Sequence, residues 1–265
     1  MRFFVTGTPR SATRYTSLLL DKLGLPCTHE AVAKPLATWI DVLRWYEEAR
    51  HGESSWMAWT VLPSLPRPVP VLHTVRDPWR VIDSLCTRNA ILIREGLDSE
   101  QARIREVIRA YAPEVWQWPK RIDRAACLVI AWNRLIEERC PHRFAFRVDR
   151  LDVLTMRRLL RHLGVERSDA EIETALAAVP TNVNGGYTVT REHDADDPLG
   201  AELLRRFATQ PNTRVMSVVR VPGDPKRQTP EEIAARLDPR LLEEVNRWAA
   251  HWNYATVETP APIGG

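Results

Sequence analysis

The 265-residue sequence predicts an α/β protein in which a parallel β-sheet is flanked by helices. Short apolar runs at 2–6, 25–28, 69–75 and 143–148 have the length and composition of buried strands. The segments between them space their apolar residues at the helical period, and several strand ends run straight into helix-start chemistry. Alternation of that kind favours parallel strands joined by helical crossovers, with ligands held beyond the carboxyl ends of the strands.

The first run ends at Gly7, and from Ala12 the positions Tyr15, Leu18, Leu19 and Leu23 line one side of a helix. After the second run a helix is expected over 36–50, followed by the tryptophan-rich SSWMAWTV, Ser54 to Val61. PSLPRPVP, Pro63 to Pro70, is a loop, because prolines at that density remove donors and fix φ. VPVLHTV then gives a strand that meets Asp77 and Pro78, an aspartate cap with proline at the first helical position. Val81, Ile82 and Leu85 supply that helix with its buried stripe. Helices are expected at 99–112, 121–139, 153–163 and 168–178, the last opened by the capping box Ser168 to Glu171. The polar, turn-rich Thr181 to Pro198 reads as a loop. Thr229, Pro230 and Glu232 form a second capping box, and Asp238 with Pro239 opens an amphipathic helix carrying Leu241, Leu242, Val245, Trp248 and Trp252. A single domain over 1–265 is expected, with a helical C-terminal part from 181 to 265.

The balance of charge, +3 at neutral pH, suits an anionic small ligand. The signs are interspersed, with no basic stripe of the kind nucleic acid needs. Cys27, Cys86, Cys127 and Cys140 form no C-x-x-C pair and sit in apolar stretches, as buried free thiols of a reducing compartment do. Near the N-terminus only Phe3 to Val5 are consecutively apolar, too short for a signal core or a membrane span, so a soluble cytoplasmic protein with no membrane partner is expected.

The chemistry concentrates in GTPRSATRY, Gly7 to Tyr15. A nucleoside-triphosphate loop would read G-x-x-x-x-G-K-S/T, and here Ala12 replaces the second glycine, Thr13 the lysine and Arg14 the magnesium-binding hydroxyl. The triphosphate-and-metal apparatus is missing, so no metal is expected. What remains is a helix N-terminus, the hydroxyls of Thr8, Ser11 and Thr13, and the cation of Arg10, which together still make an anion site. An ordinary polar turn is the alternative. Downstream, VRDPWRVIDS places Arg76 at a strand end and Ser84 two helical turns on, facing the same corner. Arg76 could grip a phosphate there, or merely pair with Asp77 or Asp83.

Together these stretches resemble the sulfotransferase family that uses 3′-phosphoadenosine 5′-phosphosulfate, PAPS. That family carries a loop G-x-P-R/K-S-G-T-T after its first strand, and R-D/N-P with a serine eight residues after the arginine. Weaker similarity runs through HE at 29 and 30, SSW at 54 to 56, AWNRLIEE at 131 to 138 and FRVDRLD at 146 to 152. The resemblance implies a P-loop NTPase-like sulfotransferase fold with PAPS as co-substrate. It implies cofactor contacts from Gly7, Thr8, Pro9, Arg10, Ser11, Ala12, Thr13 and Arg14 around the 5′-phosphosulfate, and from Arg76 and Ser84 at the 3′-phosphate. Arg10 would touch the sulfonate or bridging oxygens, and Glu30, favoured over its neighbour His29, would be the base for a small-molecule or glycan acceptor. Ala12 and Arg14 depart from the pattern, which usually has glycine and threonine there. A non-catalytic nucleotide-binding relative and a kinase-like enzyme remain as alternatives. The R-K-G segment that closes over the nucleotide in many members has no clear copy, the basic Lys226 and Arg227 being a weak substitute. Trp56, Trp59 and Trp132 are core residues or line the acceptor pocket, and His73, inside a strand, reads as a packed core histidine.

Overall fold

The structure is a computed structural model that describes residues 1–33, 39–88, 92, 99–179, 187–193, 215–221 and 227–258. Its centre is a five-stranded, wholly parallel sheet built from β1 (Phe4–Gly7), β2 (Cys27–His29), β3 (Gly52–Ser54), β4 (Val71–Val75) and β5 (Phe144–Arg147), in the order β2-β3-β1-β4-β5. The middle strand β1 pairs Phe4 with Glu53 of β3 on one side and Val71 of β4 on the other, and every residue of β1 is buried. From β1 the chain leaves toward β2, whereas from β4 it leaves toward β5. The strand order therefore reverses between β1 and β4, and such a switch point opens a crevice at the carboxyl ends of the two strands.

Helices cover both faces. α1 (Thr13–Lys22), α6 (Val153–His162) and α7 (Asp169–Ala178) pack one side, where Phe3, Val5 and Leu72 meet Leu19, Leu20, Met156, Leu159 and Ile172. The other side holds α3 (Pro78–Arg88), α4 (Ser99–Tyr111) and α5 (Arg121–Arg139), together with α8 (Pro230–Ala234) and α9 (Pro239–His251). Val71 and Leu72 join opposite clusters, as successive strand residues must. α2 (Trp39–Glu48) closes a smaller cluster in which Trp45 and Tyr46 pack on Phe4. Both expected capping boxes form, Ser168 with Glu171 and Thr229 with Glu232, because each serves two orphan backbone donors at once. All four cysteines are free thiols.

Two features depart from the sequence reading. β3 had not been expected: it is three residues long and carries a glutamate, so no apolar pattern announces it. The C-terminal part is not all helical either. Where Thr181 to Pro198 reads as a loop, residues Tyr187–His193 form β6, which pairs antiparallel with β7 (Val215–Val221) in a separate two-stranded sheet. YTVTREH and VMSVVRV are rich in β-branched residues, and that propensity outweighs the polarity of their surroundings. The remainder of Thr181 to Pro198 lies outside the described residues. No described helix is long and apolar enough to cross a membrane.

Candidate functional site

At the switch point the chain leaves β1 through Gly7, where a Cβ would lie 2.2 Å from Ser11 Oγ and 2.4 Å from Thr74 Oγ1, so only glycine fits. Ser11 N donates to Thr8 O at 3.0 Å, curling the loop back on itself. Arg10 and Ala12 both take left-handed backbone, with φ of 73° and 70°. For a residue with a Cβ that conformation costs about 1–2 kcal/mol, and it persists only where the surroundings dictate it. Here the surroundings are a chain of hydroxyls. Thr74 Oγ1 donates to Thr6 O at 3.0 Å, which uses its single hydrogen, so Ser11 Oγ donates to Thr74 Oγ1 across 2.9 Å. At the far end of the loop Ser54 Oγ donates to Thr13 O at 2.8 Å. Thr8, Pro9, Ser11 and Thr13 are buried, Arg10 and Ala12 half-buried, and Arg14 exposed.

β4 ends beside this loop. Asp77 accepts from Trp79 N at 3.0 Å and faces Arg80 at 3.8 Å, so it caps α3 as its sequence predicts. Arg76 turns the other way and donates from a terminal nitrogen to Arg10 O at 3.0 Å. Arg10 in turn donates from Nε to Ser84 Oγ at 2.9 Å. The two motifs, 74 residues apart in sequence at that bond, thus form one cluster. Its electrostatics are unbalanced. Burial first, then the charges of Arg10, Arg80 and Arg227, push the Arg76 guanidinium down to about 10, with Asp77 opposing them. Arg227 enters from the segment before α8, where Gln228 N donates to Asp83 Oδ1 at 3.5 Å. The sequence offered Lys226 and Arg227 only as a weak substitute for a closing segment. Arg227 is within electrostatic reach of Arg76, and Lys226 lies outside the described residues.

The candidate bases follow β2. His29 Nε2 lies 3.2 Å from Thr13 Oγ1, and burial with the nearby charge of Arg14 lowers the imidazole to about 4. Glu30 is half-buried, its N–H donates to Ser54 O at 3.0 Å, and its φ of 52° is a third left-handed value at this edge of the sheet. Around it Thr28, Val32 and Ala33 direct donors at Glu53, a buried residue that sequence reasoning missed. Nothing in the linear order sets Glu53 apart, because its partners, Thr28 of β2 and the backbone of Val32 and Ala33 after it, lie 20 to 25 residues away.

Other residues lie away from this edge. Trp56, Trp59 and Trp132 pack against one another in the core, with Trp132 Nε1 donating to Trp56 O at 2.9 Å. His73 is buried, donates from Nε2 to Asn133 Oδ1 at 3.0 Å, and accepts at Nδ1 from Arg143 Nε at 3.3 Å, which fixes a neutral tautomer. Burial raises every cysteine, Cys86 and Cys140 to about 11 and Cys127 to about 12, so these thiols stay protonated near neutral pH. Among the described residues no group of His, Cys, Asp and Glu could hold a metal ion.

No family model matches the chain, and no curated protein matches it. Among solved structures, mouse sulfotransferase SULT7A1 complexed with PAP aligns with 74% of this chain and 68% of its own, at 12% identity and a TM-score of 0.43. That likeness is weak and says nothing of activity.

Proposed function

We propose that the chain is a PAPS-dependent sulfotransferase, and that Gly7 to Arg14 with Arg76 and Ser84 hold the nucleotide. The observation that carries this reading is the contact of Arg10 with both Ser84 and Arg76, where like charges converge on the crevice at the reversal of strand order. A buried guanidinium with other cations beside it is costly in the absence of an anion and favourable around one. A phosphate within their reach would relieve that repulsion, and the helix N-terminus at Thr13 adds its dipole to the same place.

PAPS supplies the sulfuryl group and its phosphate leaving group. Arg76, Ser84 and Arg227 orient the 3′-phosphate, and the loop hydroxyls Ser11 and Thr13 fix the 5′ end. Arg10 meets the charge that grows on the leaving oxygen as the S–O bond breaks. Glu30 takes the acceptor hydroxyl's proton while that oxygen bonds to sulfur. His29, kept neutral by burial beside the charge of Arg14, lies within hydrogen-bond distance of Thr13 and in this reading orients the edge through it.

Calorimetry with adenosine 3′,5′-bisphosphate in EDTA tests the reading. Arg76→Ala should weaken binding by roughly 30-fold or more, the usual loss when a phosphate-gripping guanidinium is removed. Equal binding by wild type and variant would put the 3′-phosphate elsewhere. Activity lost in EDTA and restored by magnesium would favour a kinase-like enzyme, and bisphosphate binding without transfer from labelled PAPS to any acceptor in a cell extract would favour a non-catalytic relative.

A further inference from the structure

Glu53 sits on β3 between β2 and β1, opposite Thr28 on one side and Phe4 on the other, and is wholly buried. A carboxylate so placed needs donors, and three reach it. Thr28 Oγ1 donates to Oε2, while Oε1 accepts from Val32 N at 3.0 Å and from Ala33 N at 3.1 Å. These donors bracket Glu30. Upstream, His29 is paired with Ser54 in the sheet and Glu30 N donates to Ser54 O; downstream, Val32 N and Ala33 N donate to Glu53, the residue before Ser54 in the same strand. Between the two ties Glu30 holds a φ of 52°, a conformation that persists in a residue with a Cβ only where the surroundings dictate it.

We propose that Glu53 is a positioning residue for the catalytic base: its buried carboxylate folds residues 30–33 back over β3 and so fixes the direction in which the Glu30 carboxylate projects. Glu53 does not touch the acceptor, and it acts only through the loop. The inference rests on the proposed role of Glu30. It adds that the strand beside the nucleotide loop sets the geometry of proton transfer. The same strand holds both halves of the reaction, since Ser54 ties Thr13 through its hydroxyl and Glu30 through its carbonyl.

The amide isostere separates positioning from charge. Glu53→Gln keeps an oxygen for Val32 and Ala33, and its NH₂ can donate to Thr28 Oγ1, whose hydrogen then turns to Gly52 O, 3.2 Å away. Glu53→Ala leaves all three donors without an acceptor, and Glu53→Asp draws the carboxylate back by one methylene and serves if the alanine variant does not fold. Three readouts are compared: turnover of labelled PAPS with extract acceptors, affinity for adenosine 3′,5′-bisphosphate, and hydrogen exchange at Val32 and Ala33. Glu53→Ala and Glu53→Asp should lose turnover by roughly 10- to 100-fold, keep bisphosphate affinity within about threefold, and lose amide protection at 32 and 33. Glu53→Gln should retain both protection and most turnover. Unchanged turnover in the aspartate or alanine variant overturns the role, as does a parallel loss of bisphosphate binding, which would make Glu53 a general stability residue. Failure of the wild type itself to bind the bisphosphate is a different result: it removes the sulfotransferase reading, and the role of Glu53 with it.

Discussion

Between Gly7 and Thr13 the chain turns through two left-handed residues that are not glycine, whereas between Val75 and Pro78 it turns without any. The first turn is held in an uncomfortable backbone by hydroxyls, Ser11 to Thr74 and Ser54 to Thr13. The second has a relaxed backbone and an orthodox aspartate cap, and its discomfort is electrostatic, in the Arg76 guanidinium lowered by burial and by the cations around it. Strain in a backbone is short-ranged and persists whatever is bound. Repulsion between cations is offset when an anion sits among them. On the proposed reading the loop is thus a fixed mould and the corner a responsive one, and the two are joined where Arg10 contacts both Ser84 and Arg76.

The comparison extends to a third edge, after β2, where Glu30 is also left-handed. If that strain serves to aim a base, Glu30→Gln should cut turnover by roughly 10²–10⁴-fold while bisphosphate affinity stays within about threefold, and His29→Asn should do less. A dead His29→Asn beside a normal Glu30→Gln would reverse the assignment. At Arg10 the two kinds of cost meet. Arg10→Ala should lower kcat by about a hundredfold with a smaller effect on nucleotide binding, and Arg10→Lys should recover part of it, since the charge matters most as the leaving oxygen becomes anionic. Unaltered turnover in Arg10→Ala would leave the fixed mould with no connection to chemistry.

A third test uses pH. His29 falls from an ordinary 6.5 to about 4 on folding, so its neutral form is the one the native state prefers. The unfolded chain takes up that proton first as pH drops, so stability from this group is whole above about 6.5 and is lost progressively down to about 4. Melting temperatures measured across that interval should fall less steeply in His29→Asn than in the wild type. Parallel curves would mean that the ring is not held neutral against Thr13. The smallest effect is expected at Ala12. Replacing it with glycine relieves left-handed strain but adds freedom to the unfolded chain, leaving a net gain of about 0.5 kcal/mol, or roughly 1–2 °C in Tm. A lower Tm would show that the Ala12 methyl contributes more by packing than it costs in backbone.

What the sequence disclosed follows the range of the interactions involved. Gly7 before a helix, Asp77–Pro78, Ser168–Glu171 and Thr229–Glu232 are local devices, and each appears where its spacing puts it. The placement of Gly7 to Thr13 next to Arg76 was legible too, since both follow strands in a parallel sheet. β3 was not, because three residues with a central glutamate show neither alternation nor an apolar run. The pairing of β6 with β7 depends on partners far apart in the chain, and the reach of Arg227 to Arg76 on how the C-terminal segment folds back to α3. The left-handed state of Ala12 was hidden for another reason: alanine advertises helix, and only the tertiary ties impose something else.

The contact of Gly7, Ser11 and Thr74 has a consequence for how such a chain can drift. A methyl at position 7 would strike both hydroxyls, and the Thr74 hydroxyl is at once the fastening of Ser11 and the neighbour that forbids the methyl. Mutational paths through these positions are therefore epistatic. Losing the hydroxyl at 74 removes the acceptor to which Ser11 is fastened, while an alanine at 7 stays barred even then, because Ser11 Oγ and the Thr74 carbonyl would lie 2.2 and 2.6 Å from its methyl. Transplanting residues 7–13 into a related scaffold without residue 74 would move the lettering and leave behind the latch that holds it in shape, so the inheritable unit here is a discontinuous trio and not the loop by itself.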